Sequence, residues 1–140
     1  MYAAHRAIGA YAQVGVETSV VDASPHRLIA MLFEAARAAI SLASAAMQRG
    51  DVLVRLRAFD KIISIIGQGL QASLDRERGG EIATQLDTLY DYMLRRLLLA
   101  NATNDVAILE EVDRLLAPLQ EAWSEIGKPG VVAGHLSVVS

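Results

Sequence analysis

Between Val52 and Leu74, apolar residues recur at Val52, Leu56, Phe59, Ile63, Ile66, Leu70 and Leu74, spaced 4, 3, 4, 3, 4 and 4 apart. That spacing is the mark of an α-helix with one face turned to a core. A second stripe runs beside it: Ala58, Ile62, Ile65, Gly69 and Ala72. A surface helix needs one apolar stripe, so a helix with two covers something on both flanks. Two readings stay open. The helix has two neighbours in a small bundle, or the second stripe, with Ile62 and Ile65, lines a groove for a partner. An N-terminal arm carrying Ile8 and Tyr11 is a third candidate to cover it.

The rest of the chain supplies the neighbours. Ser24 is a good N-cap and Pro25 suits a first helical position, where its missing N–H costs nothing. The spacing predicts a helix to about Arg49, with Leu28, Leu32, Ala35, Ala39, Leu42 and Ala46 as its seam. Gly50 suits a left-handed stop and Asp51 can cap the next helix at once, which forces the pair antiparallel. The helix from Val52 should end near Asp75. Gly79-Gly80 breaks the pattern, and Glu81 favours a new start by its charge. Ile82, Leu86, Leu89, Met93, Leu97 and Ala100 form the next seam, flanked by Tyr90 and Leu94. Asn104 or Thr103 can cap a last helix through Ile108, Val112, Leu115, Leu119, Ala122 and Ile126, with Trp123 alongside. Pro118 should kink that helix or split it. The expected fold is all-α: an antiparallel up-down-up-down four-helix bundle over residues 24–127. An N-terminal arm or short helix (1–23) precedes it, and a mobile tail (128–140) follows.

Composition narrows the function. Hydrophobic residues make up 53% of the chain and aromatics only 5%, with a mean hydropathy of +0.30. That is a surplus of apolar side chains for a small bundle, and exposed apolar patches usually bind something. The net charge is −3 and the basic residues are scattered among carboxylates, which argues against nucleic acid. The chain has no cysteine, which excludes disulfides, thiolate metal sites and cysteine nucleophiles and fits a reducing cytosol. No charge-free run approaches the ~20 residues of a membrane span.

Catalytic constellations are missing from the pattern. A di-metal bundle needs Glu-x-x-His pairs, and none of His5, His26 and His135 has a glutamate three residues before it. No histidine is placed for a Ser-His-Asp arrangement either. Gly67-Gln68-Gly69-Leu70-Gln71-Ala72 imitates a dinucleotide fingerprint, but the helical period continues through it. Small residues that admit a neighbouring helix explain it better. The expectation is a non-enzyme without cofactor or metal.

Longer blocks add specificity. Tyr11, Ala23-Ser24-Pro25-His26-Arg27-Leu28-Ile29 and Met31-Leu32-Phe33 open the series. Gly79-Gly80-Glu81-Ile82-Ala83, Leu86, Leu89-Tyr90-Asp91-Tyr92-Met93, Ala100-Asn101 and Asn104-Asp105 follow, then Glu111-Val112, Ala122-Trp123 and Glu125-Ile126. In this order over about residues 11–126 they resemble the flagellin export chaperone family, FliS. Phe33-Glu34-Ala35 stands where the family often has Tyr-Asp-Gly.

The resemblance implies a cytoplasmic chaperone, monomeric when free, for the C-terminal segment of flagellin. That segment is disordered in the monomer and helical in the filament. Holding it prevents premature polymerisation and keeps the subunit acceptable to the flagellar export apparatus. It wraps the bundle, partly as helices in grooves, and the N-terminal arm gives way. Matching positions make Tyr11 the candidate anchor of the arm, with Tyr90 and Tyr92 as contacts or rim aromatics. Ile62 and Ile65 are candidates from helical geometry. The competing reading is a non-catalytic bundle that homodimerises through the second stripe.

Overall fold

The computed structural model describes residues 23–127, so the arm with Tyr11 and the tail from residue 128 lie outside the described residues. The described residues form four helices and no strands: α1 (Pro25–Arg49), α2 (Val52–Ser64), α3 (Arg76–Thr103) and α4 (Val106–Ile126). Without a break, α2 runs on into a π-helical stretch, Ile65–Gln71.

Local chemistry sets the boundaries. The Ser24 side chain accepts the Arg27 N–H at 3.0 Å, and Pro25 opens α1. Gly50 stops α1 at φ 73°, and Asp51 caps α2 by accepting the Val54 N–H at 3.2 Å. The turn between α3 and α4 repeats this solution. Asn104 takes the left-handed position at φ 53°, and Asp105 caps α4 through the Ala107 N–H at 3.0 Å. Asn104 is therefore the stop of α3 rather than the cap of α4, because a left-handed residue cannot also hold the extended backbone of an N-cap.

Three other expectations change. Asp75 caps a first turn from Arg76, before Gly80 interrupts it at φ 52°, so regular helix resumes at Glu81 as the sequence suggested. The third segment ends its helix at Gln71, not Asp75. Pro118 does not split α4, which runs continuously past it with the proline ring in solvent.

α1 packs against both α2 and α4, while α3 packs against α4 and the π-helical stretch. The circuit is consistent with an up-down-up-down bundle. Its core is wider on α1 than the predicted seam: Ile29, Phe33, Ala36, Ile40, Ala43 and Met47 are buried beside Leu28, Leu32, Ala39 and Ala46. Leu42, expected inside, is 50% exposed. On α2 the second stripe goes inward. Ala58, Ile62 and Ile65 are buried with Phe59 and Ile66, while Val52 and Leu56 of the first seam are exposed. Gly69 lets α1 approach: a Cβ there would lie 3.1 Å from a Leu32 methyl, tighter than most real contacts.

α1 is the one described helix whose length and apolarity could cross a membrane. Its apolar face is the bundle core, and Arg37 on its flank pairs with Asp113 of α4 at 2.9 Å.

Candidate functional site: an apolar cavity at one end of the bundle

Where α1 begins and α4 ends, the four helices leave an apolar cavity of about 190 Å³. α1 contributes Ile29 and Phe33, and the chain after α2 contributes Leu70 and Leu74. The early part of α3 adds Ile82, Leu86 and Tyr90, and the last turns of α4 add Leu119, Ala122, Trp123 and Ile126. The opening follows from the connections. The far end is closed by two tight turns, whereas here the π-helical stretch, a short loop and the Gly80 break separate α2 from the regular part of α3.

The rim is fixed by a reciprocal clasp. Trp123 Nε1 donates to the His26 carbonyl at 2.9 Å, and His26 Nε2 donates to the Trp123 carbonyl at 2.7 Å. The two rings stack at 4.9 Å between centroids and 9° between planes. Gly127 lies against the imidazole so closely that a Cβ would fall 2.3 Å from His26 Cε1. Three residues thus pin the last turn of α4 to the first turn of α1.

Tyr90 is 3% exposed, and burial pushes its phenol far above the ordinary range, so it serves as a neutral wall. Tyr92 turns instead toward α4. Its hydroxyl donates to Glu111 Oε2 at 2.6 Å, while Arg96 Nε donates to Oε1 at 2.8 Å. Those two bonds, Tyr92 first, hold the Glu111 carboxyl below its usual range. The hydrogen bond to Glu111 pushes the Tyr92 phenol up. Tyr92 is therefore half-buried and engaged in an α3–α4 tie, whereas Tyr90 walls the cavity.

Ile62 and Ile65 have no exposed surface and lie in the core, which corrects the expectation that their stripe faces a partner. The physical reason is the ring of neighbours: α1 takes one flank of α2 and the π-helical stretch meets α3 on the other. The exposed apolar residues lie elsewhere. Leu53 (58%) and Leu98 (60%) are the most open, with Val52, Leu56 and Leu99 near them in sequence. They sit toward the closed end, where Arg55 Nη1 bridges to Asn101 at 2.8 Å.

The sequence reading missed the cavity residues Ile29, Phe33, Ile82, Leu86, Leu119 and Trp123 as a set. A signal existed, since Ile29 and Phe33 repeat the Leu28–Leu32 spacing one residue later and so double the apolar width of α1's first turns. Leu97-Leu98-Leu99 was readable as well, because three consecutive residues span about 200° of a helix and cannot all face inward.

Among the described residues, no group of three or more His, Asp or Glu side chains comes together to hold a metal ion. The described residues thus form a helical bundle with an open apolar recess, exposed leucines and polar groups engaged in helix-to-helix ties, the kind of surface on which binding proteins take up a partner. The sequence matches the family described as Flagellar protein FliS over residues 7–130. It is 54% identical over 119 residues to the flagellar secretion chaperone FliS of Salmonella typhimurium, covering 85% of this chain and 88% of that protein. It is 44% identical over 126 residues to FliSB of Pseudomonas aeruginosa, covering 90% and 98%, and 34% identical over 109 residues to FliS of Bacillus subtilis, covering 78% and 80%. The chain belongs to the FliS family of flagellar secretion chaperones.

Proposed function

We propose that the protein is a cytoplasmic, non-catalytic chaperone that binds the C-terminal segment of flagellin, prevents its premature polymerisation and keeps it competent for the flagellar export apparatus. The observation that carries this reading is the apolar cavity walled by Phe33, Leu86, Tyr90 and Trp123. An amphipathic helix lays its apolar face into such a recess at i, i+3, i+4 and i+7 positions. The exposed Leu53, Leu56 and Leu98 add surface along which a longer segment can continue.

A segment that orders as it binds gives up part of its interaction energy, so it can cover a wide surface and still be released. Release is what an export chaperone requires. The arm through Tyr11 is the part of the chain that yields on this reading. The test is size-exclusion chromatography with mass detection of the protein mixed with flagellin, intact or lacking the C-terminal segment. The reading expects a one-to-one complex with the intact subunit alone; equal binding of both forms contradicts it. A homodimer through the second stripe of α2 loses its basis, because Ile62 and Ile65 are enclosed by the bundle.

A further inference from the structure

We propose that Gln71 is a positioning residue for the client: its amide, held by Asp87 and Asp91 of α3, fixes the π-helical register of Ile65–Gln71 and so the place of Leu70 and Leu74 in the cavity wall. The consequence for the client rests on the reading above; the wall itself is tested without it.

Apolar spacing does not set this register. Ile66, Leu70 and Leu74 are spaced as an α-helix requires, yet the chain is π-helical over Ile65–Gln71. A π-helix closes its hydrogen bonds five residues apart and is rare, so surrounding contacts have to hold it. Gly67 and Gly69 weaken the α-helix that would compete. At Gly67 the glycine is not needed for room, since a Cβ there would meet a Leu94 methyl at an ordinary 3.7 Å. The turn that follows adds a cost: the Ser73 hydroxyl is buried with no hydrogen-bond partner among the described residues.

Gln71 supplies the hold. Ile65, Ile66 and Leu70 carry no polar side-chain group and Gln68 is exposed, so Gln71 is where a side chain can tie the stretch to α3. Its Nε2 donates to Asp91 Oδ1 at 2.8 Å, to Asp87 Oδ1 at 2.9 Å and to the Asp87 carbonyl at 3.3 Å. Arg76 Nη2 donates to the same Asp87 oxygen at 2.8 Å and steadies it. The two aspartates stand four residues apart on one face of α3, and hydrogen bonds to a charged acceptor are the stronger kind.

The wall follows from that hold. Leu70, beside Gln71, and Leu74, three residues on, both line the cavity. One residue of register is about 100° of helical rotation, so relaxation to an α-helix would carry them out of the wall. The cavity's volume of about 190 Å³ compares with the ~150 Å³ of an apolar cavity that holds benzene, so it seats about one ring-sized group. Displacing a single leucine therefore changes what fits.

Two variants of the full chain separate the tie from the fold. Gln71→Glu replaces the donor with a third carboxylate, whereas Gln71→Lys keeps a donor within reach of both aspartates. Trp123, the one tryptophan in the chain, lies in the same wall. Gln71→Glu should raise its quenching by acrylamide, and Gln71→Lys should leave quenching at the wild-type value. If Gln71→Glu keeps the wall in place one-tenth of the time, its affinity for a peptide of the flagellin C-terminal segment falls about tenfold, and Gln71→Lys restores it. A lower urea midpoint in Gln71→Glu with quenching and affinity unchanged makes Gln71 a structural tie only and overturns the proposal. Equal losses in Gln71→Lys also overturn it, because the donor is still present. If the unaltered protein does not bind the peptide, the client reading falls, while raised quenching in Gln71→Glu alone still upholds the wall.

Discussion

The two ends of this bundle solve the same problem differently. At the closed end, each helix pair is joined by two residues, Gly50-Asp51 or Asn104-Asp105. In both turns a left-handed residue is followed by an aspartate whose N–H reaches back to a buried alanine: Asp51 to Ala46 at 2.9 Å and Asp105 to Ala100 at 3.0 Å. Carbonyls and amides are satisfied in one move, and the helices are drawn together. At the open end, α2 finishes in π-helical turns, α3 begins with a turn that Gly80 interrupts, and a clasp of side chains ties α1 to α4. Backbone geometry closes one end, while side chains hold the other around a cavity. Tight turns hold the closed end, and the cavity proposed for the client lies where they are absent.

Substitutions can break this comparison in order of size. Ile65→Asp places an unpaired carboxylate in the core, where removing a charge from water costs several kcal/mol, so loss of the helical circular dichroism is expected. Gly127→Val drives a side chain into His26 and should cost about 1–3 kcal/mol in urea denaturation, the usual range for overpacking. Only the open end should loosen first, seen as faster amide exchange in the last turn of α4. Asp51→Ala or Asp105→Ala removes a cap at the closed end and should cost about 1 kcal/mol, with Trp123 emission unchanged. Leu98→Ser alters an exposed side chain and should move stability by less than about 0.5 kcal/mol.

The smallest effect belongs to the Tyr92–Glu111–Arg96 tie. Its carboxyl is held below its ordinary value in the folded chain, so the unfolded chain binds the proton more readily. The contribution is present above the ordinary carboxylate range and is lost as pH falls through the lowered folded value. Glu111→Gln should flatten that acid limb in denaturation curves measured across it.

The helices and most of their ends were legible because they depend on local chemistry. Ser24, Pro25, Gly50 and Asp51 each act within one turn, and each acts as its sequence context suggests. Which stripe of α2 faces inward was not legible. Ile62 and Ile63 are equally apolar, and only the positions of α1 and α3 place one inside and leave the other half-buried. The π-helical register left no periodic trace either, since the apolar spacing through Ile66, Leu70 and Leu74 fits an α-helix as well. The cavity escaped for the same reason: it is formed by residues from four separate elements, none unusual alone. Family resemblance supplied the family, which periodicity could not; Tyr90, offered there as a contact or a bundle-rim aromatic, is buried and lines the cavity.

The most direct measurement is hydrogen exchange by mass spectrometry on the full chain, alone and saturated with a peptide of the flagellin C-terminal segment. The account predicts that protection rises in the turns around the cavity, in residues 26–36, 82–93 and 116–127, with smaller change near the Gly50 and Asn104 turns. Protection confined to those turns, with the cavity region unchanged, would contradict it.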